Sequence, residues 1–397
     1  MPFDFILQSS LLLPAFIQGL LFAFLLFYRG RIHSRLSDTL LGWLLLLNAI
    51  KIAYWMLGYA GWYDTHDGYT SFMFYFPFNN LPWMGPLLYF YFLSLSNADF
   101  RFTKAHWKHL ILPLAWTGMI IAKLAGDFLL HHPFPVIADS QYGTKGPWAE
   151  WDKMPWAMGI GYLSFFYYLF MTIRAFSGYQ QYVKENFSDT ENISLGWLRN
   201  ILYLVSAGVV LFFVFEIIGL VTGGNTYRFD WYAYLALGII VYYLSIAGYG
   251  AKARIMQHLH FVPVIEKEIP AVTETHTITD PIDPLRDKLL QLMDSEKPFL
   301  QPELTLTELA GKMKTNTSVM SKLINDGTGR NFNDFINAYR TEEVITKLKS
   351  GEQKTQTLLG IAYDAGFNSK ATFNRAFKKY TGMSPRDWLE KNNKTQS

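Results

Sequence analysis

Apolar positions follow two different patterns along this chain. Up to about residue 254 they run in long blocks: Phe5–Tyr28, Leu40–Tyr59, Phe72–Leu95, His109–Ala125, Pro155–Thr172, Ile201–Thr222 and Trp231–Gly248. Each block is near the ~20 residues that a helix needs to cross a hydrocarbon core about 30 Å thick. The fourth, fifth and seventh are the shorter ones, and Asn79, Asn80 and Pro82 interrupt the third. From residue 285 onward apolar residues recur instead at intervals of three and four, the mark of amphipathic helices with one buried face. The pattern predicts an all-α chain, with a seven-helix transmembrane bundle over 1–254, a linker over 255–284 and a soluble helical domain over 285–397.

The connections between the apolar blocks alternate in charge. Arg29, Arg31 and Arg35 follow the first block, Arg101, Lys104 and Lys108 the third, Arg174 and Lys184 the fifth, and Lys252 and Arg254 the seventh. The intervening connections hold Asp64 and Asp67 without a base, then Lys145 and Lys153 among acids, then Arg228 alone. Basic loops stay on the cytoplasmic side, so the pattern predicts an N-terminus outside and a C-terminal domain in the cytoplasm. Trp55, Trp62, Trp148, Trp151, Trp156 and Trp231 fall where interfacial belts belong. The first block opens Met-Pro-Phe-Asp without a basic stretch and lacks a small-residue cleavage site, so it is expected to be a retained helix.

Between the halves, Glu266, Glu268, Glu274, Asp280 and Asp283 face the single base Lys267, with prolines at 263, 270, 281 and 284. Proline removes backbone donors and breaks helices, which predicts an extended tether. Some thirty flexible residues reach on the order of 30 Å.

The soluble part begins with Leu285, Leu289, Leu290 and Met293 on one helical face. Leu306, Leu309 and Ala310 then turn inward on a short helix for which Thr307 is the expected N-cap. After a turn at Lys314–Asn316, a helix over 317–325 has Met320, Leu323 and Ile324 inward and Ser318, Ser321 and Lys322 outward. Phe332, Phe335 and Ile336 open a longer helix running through Arg340 to Lys349. The plan then repeats. A supporting helix over 357–364 leads through Ala365-Gly366 to Asn368 or Ser369, either of which serves as the cap of a helix over 370–380. On that helix Phe373 and Phe377 point to the core, and Lys370, Ala371, Asn374 and Arg375 point out.

The run from Leu358 to Trp388 carries Ile361-Ala362, Ala365-Gly366-Phe367, Asn368-Ser369, Phe373, Phe377, Thr381-Gly382, Ser384-Pro385 and Trp388 in one register. It resembles the second helix-turn-helix of the AraC/XylS family of bacterial transcription regulators, and the resemblance extends over about residues 285–390. It implies a domain with two helix-turn-helix units that binds double-stranded promoter DNA, with recognition helices in successive major grooves. In such a unit the N-terminal residues of the second helix reach base edges. Ser318, Ser321, Lys322, Lys370, Ala371, Asn374 and Arg375 are then the base-reading candidates, with Arg375 suited to guanine and Asn374 to adenine. Lys378 and Lys379 suit phosphates. Ser318 and Ser321 are smaller than the side chains the family usually places there, and Ala371 offers only an apolar surface at a position that family members often use for contact. The implied partners are promoter DNA, the lipid bilayer, RNA polymerase, a second copy of the chain and an unidentified small-molecule or envelope signal. The implied location is the bacterial inner membrane.

Charge supports the division. Residues 1–254 carry 16 Lys and Arg against 14 Asp and Glu, whereas 285–397 carry 18 against 13. A basic surplus in the shorter half fits a nucleic-acid partner. The chain has no cysteine, which removes disulfides, thiolate catalysis and cysteine-based zinc sites. No cofactor motif and no catalytic motif is found, and no metal site is expected; the adjacent pair His131-His132 points two ways. Within the spans Lys51, Lys123 and Glu216 stand out, since an intramembrane charge is costly unless paired or turned to a cavity. Two readings are open: Lys51 and Glu216 line a polar ligand site, or the lysines reach an interface and Glu216 makes a structural hydrogen bond. Two other functions also stay open, a transporter or channel with a regulatory DNA-binding domain and an intramembrane enzyme. Clear internal repeats would favour the transporter.

Overall fold

The computed structural model describes residues 4–62, 73–130, 145–149, 151, 154–191, 193–222, 227–250, 259–263 and 282–396. The chain forms two compact units, one of Met1–Phe176 with Gly196–Val262, the other of Ser177–Leu195 with Pro263–Ser397. The segment Ser177–Leu195 therefore groups with the C-terminal helices, an assignment that chain order does not suggest. Most of the expected linker lies outside the described residues.

Each long apolar block contains a helix. Helices run α1 Leu7–Ile32, α2 Leu36–Tyr59, α3 Leu81–Ser96, α4 Ile111–Ala125, α5 Pro155–Asn186, α6 Gly196–Thr222 and α7 Tyr227–Gly250. Among the described residues five helices are long and apolar enough to cross a membrane: Leu7–His33, Leu36–Tyr59, Ile111–Leu130, Trp156–Asn186 and Asp230–Gly250. The third block differs from its expected extent, because its helix begins at Leu81 and not Phe72. Pro77 and the Asn79-Asn80 pair stand in the non-helical approach, and Pro82 occupies the first turn, where its missing N–H costs nothing. α3 is sixteen residues long and buried on nearly every face, as a helix apolar all round should be.

α1 and α2 pack closely along their length, and α7 lies against both. Midway along them a side chain on Gly19 would sit 3.0 Å from the Ala49 Cβ, so a small residue fits there. Arg29 pins one end: its Nε and Nη2 donate to the two Asp38 carboxylate oxygens at 2.7 Å, and its Nη1 donates to the Tyr249 carbonyl at 2.6 Å. Large apolar side chains remain exposed on the outward faces, among them Phe24, Leu163, Phe170 and Ile239.

Lys123 is buried within the first unit. It is 1% exposed, and its ammonium donates to the Phe74 carbonyl at 2.8 Å. Residues 74–80 are not helical, so their carbonyls lack helical partners, and a buried lysine supplies one. Asp127, also buried, accepts from the Tyr75 hydroxyl at 2.8 Å and from the Trp148 amide. His131 and His132 lie outside the described residues.

The second unit contains α8 Ile282–Ser295, α9 Leu306–Lys312, α10 Thr317–Thr328, α11 Phe332–Lys349, α12 Leu358–Asp364, α13 Lys370–Thr381 and α14 Pro385–Gln396. It has two cores. Leu289, Met293, Leu306, Leu309, Met320, Leu323 and Ile324 form the first with Phe332, Phe335 and Ile336. Val344, Leu348, Ile361, Phe367, Phe373 and Phe377 form the second, against which Trp388 packs. α11 contributes its first half to one core and its second half to the other, so a single helix of eighteen residues spaces the two helix-turn-helix units.

Candidate nucleic-acid interface

Each unit is built by local rules that set its second helix. α9 starts from Thr305, which corrects the expected cap at Thr307. Thr305 Oγ1 accepts from the Glu308 amide at 3.2 Å, and the Glu308 carboxylate accepts from the Thr305 amide at 2.8 Å. Glu308 is three residues from Thr305, the spacing a reciprocal capping box needs, and Thr307 is left exposed in the first turn. α10 is capped by Asn316, whose Oδ1 accepts from the Val319 amide at 2.8 Å. It extends beyond its expected end at Asn325 to Thr328. α13 is capped by Ser369, not Asn368, with the Thr372 amide donating to Ser369 Oγ at 3.1 Å.

The turn before α13 depends on Gly366. Its φ is +92°, and a Cβ there would lie 2.5 Å from the Phe299 carbonyl oxygen and 3.0 Å from Arg340 Nε. Both the backbone angle and the crowding demand glycine. Arg340 is 1% exposed on α11 and was not expected inside. Its Nε donates to the Phe299 carbonyl at 2.7 Å, and its Nη2 to the carbonyls of Gln301 at 2.7 Å and Pro302 at 3.1 Å. Burial lowers its pKa to about 10, with nearby Asp189 acting in the opposite sense, so it stays protonated at neutral pH. The guanidinium fork thus ties the turn before α9 to the connecting helix, beside the turn that aims α13.

Ser318 and Lys322 are exposed on α10, while Ser321 is half-buried and accepts a long bond from Asn325. Lys370, Ala371, Asn374 and Arg375 are all exposed on one side of α13. Of the phosphate candidates, both Lys378 and Lys379 are exposed, and Lys379 Nζ is 2.7 Å from Asp334 Oδ2 on α11.

In the first unit, Lys51 borders two cavities of about 210 and 250 Å³. Leu81, Tyr162 and Tyr234 border both as well, and Asn48 and Asn79 border one each. The Glu216 side chain lies outside the described residues, so a site shared by Lys51 and Glu216 is not defined.

A family model described as a helix-turn-helix domain matches residues 309–391, which spans both recognition helices. Proteins named uncharacterized HTH-type transcriptional regulators in Staphylococcus aureus strains COL, MSSA476 and N315 are each 30% identical over 102 residues. That match covers 26% of this chain and 13% of each relative, so the likeness is confined to one domain. No solved structure matches the chain. The C-terminal part is thus a helix-turn-helix domain.

Proposed function

We propose that the protein is a membrane-embedded one-component transcription regulator. The C-terminal domain binds promoter DNA in a sequence-specific manner through α10 and α13, and the seven-helix unit receives a signal in or across the membrane. The observation that carries the reading is the Ser369-capped helix α13, which buries Phe373 and Phe377 and leaves Lys370, Asn374 and Arg375 exposed, inside the helix-turn-helix match. An arginine and an asparagine near the start of a second helix have the donors and acceptors that discriminate base pairs in the major groove. Membrane embedding is supported by the five long apolar helices and the exposed apolar side chains around them. The cavities beside Lys51 are a place for a small ligand, and such a ligand changes output only by binding two arrangements of the bundle unequally. In this reading RNA polymerase is the downstream partner, and a dimer in the membrane raises avidity for paired sites.

Chromatin immunoprecipitation with sequencing on the tagged full-length protein tests the reading. Discrete promoter-proximal peaks, from a protein recovered in the membrane fraction, are expected. Uniform background with no peaks, or recovery of the intact chain from the soluble fraction, overturns it.

A further inference from the structure

Two acidic side chains close over the start of the second recognition helix. Both come from the segment between α5 and α6, which belongs to the same compact unit as the helix-turn-helix domain. Asn368 Nδ2 donates to Asp189 Oδ2 at 2.9 Å. The Ser369 hydroxyl donates to the Glu191 carboxylate, and Thr372 Oγ1 donates to Glu191 Oε2 at 3.3 Å. Asn368, Ser369 and Thr372 are the turn and first helical residues of α13.

The acids are held there by a backbone dock. Ser188 is fully buried, and its amide donates to the Leu304 carbonyl at 3.2 Å. Asn333 Nδ2 donates to the carbonyls of Phe187 and Ser188 at 3.1 and 2.8 Å, and Arg340 Nη2 donates to Ser188 Oγ at 3.1 Å. These bonds come from the turn before α9 and from α11, elements remote in sequence from α13. The placement of Asp189 and Glu191 is therefore fixed by partners other than the groups they cover.

We propose that the segment Ser188–Glu191 is an autoinhibitory strap that holds Asp189 and Glu191 at the N-terminal edge of α13 and keeps DNA from it. The inference rests on the DNA-binding reading. A helix N-terminus and the hydroxyls beside it are suited to a DNA phosphate, which is an anion with acceptor oxygens. The two carboxylates take up the side-chain donors of Asn368, Ser369 and Thr372 and repel the same phosphates. Lys370, Asn374 and Arg375 stay exposed, so the strap blocks the approach of the backbone and leaves the reading face intact. Because the strap is covalently continuous with α5 and α6, a rearrangement of those helices changes its occupancy, which gives a signal a route to the DNA-binding surface.

The experiment uses full-length protein in lipid nanodiscs and a fluorescent 40-base-pair duplex of mixed sequence at low salt, read by anisotropy. Asp189→Asn with Glu191→Gln removes charge while keeping shape, and the double variant is expected to bind at least tenfold more tightly than the unmodified chain. A second pair, Asp189→Cys with Asn368→Cys, is clean because the chain has no other cysteine. Joined by a short bis-maleimide it should lose DNA binding, whereas the unjoined pair should bind at least as well as the unmodified chain. Equal binding by the charge-neutral and unmodified proteins, or undiminished binding by the joined form, overturns the strap and leaves the DNA-binding reading standing. If no form binds the duplex at any salt concentration, both readings fail together.

Discussion

Lys379 Nζ lies 2.7 Å from Asp334 Oδ2, so one of the two cations at the end of the second recognition helix is already paired with the connecting helix. Lys378, its neighbour, has no ion pair among the described residues. The two lysines should therefore differ as phosphate ligands, although the sequence presents them as equivalent. An exposed pair of this kind is worth up to about 1 kcal/mol, enough to weaken a phosphate contact without abolishing it.

Three alanine substitutions on α13 separate base reading from positioning. Arg375→Ala should cost about 1–3 kcal/mol on a preferred site and relax preference at one base pair. Lys378→Ala should weaken preferred and random DNA alike and lower the salt slope by about one. Lys379→Ala should change the slope less, because Asp334 already competes for its charge. Binding titrations across a salt series check all three. A uniform loss on every sequence for Arg375→Ala would remove its reading role and move that role to Asn374, Lys370 or Lys322.

Phe377→Ala has a different signature. The ring is fully buried, 5.6 Å from Phe373 and 6.0 Å from Trp388 between ring centres. Truncating such a ring costs about 3–5 kcal/mol. The urea midpoint of the 281–397 fragment should fall accordingly, with DNA binding lost only as the domain unfolds. A stable variant that fails to bind would place Phe377 at the DNA surface instead of in the core.

Much of this domain is legible in the sequence because its signals are local. The spacing of Phe373 and Phe377, the outward set on α13 and the inward set on α10 all follow from helical periodicity. Caps are less secure, since Thr305 and Thr307 are both competent and only the bond geometry with Glu308 chooses between them. Arg340 was missed for a different reason. A charged residue in a helix is ordinarily solvated, and its burial depends on carbonyls some forty residues earlier in the chain. The contacts of Glu191 with Ser369 and Thr372 span about 180 residues, a separation over which no periodicity or motif carries information. In the membrane half, apolar blocks locate the helices but do not give the length of α3, where prolines and asparagines decide.

Topology gives an independent test of the membrane reading. Reporter insertions at Gly68, Gly143 and Asn225 should show phosphatase activity outside, and insertions at Ser34, Ser194 and a fusion at Ser397 should show none. Ser194 is the informative position, because it lies just after the proposed strap, which must share a compartment with the helix-turn-helix domain. Phosphatase activity at Ser194 with none at Ser397 would separate the two and sink the strap. Activity at Ser397 itself would place the DNA-binding domain outside the cell and end the regulator reading.

The bonds of Arg340 to the turn before α9 do not require the strap. In the 281–397 fragment Ser188 is absent, and the guanidinium keeps only its bonds to the carbonyls of Phe299, Gln301 and Pro302. A hydrogen bond to a charged group contributes about 1.5–3 kcal/mol, and its loss also strands a buried carbonyl. Arg340→Ala should therefore destabilise the fragment by about 3 kcal/mol or more, read as a shift in the urea midpoint at an unchanged slope. Arg340→Lys should recover only part of this, because one ammonium cannot reproduce a planar fork aimed at separate carbonyls. Full recovery by lysine would mean that charge alone matters there. A cost under about 1 kcal/mol for alanine would mean that water replaces the guanidinium and that the turn before α9 holds itself.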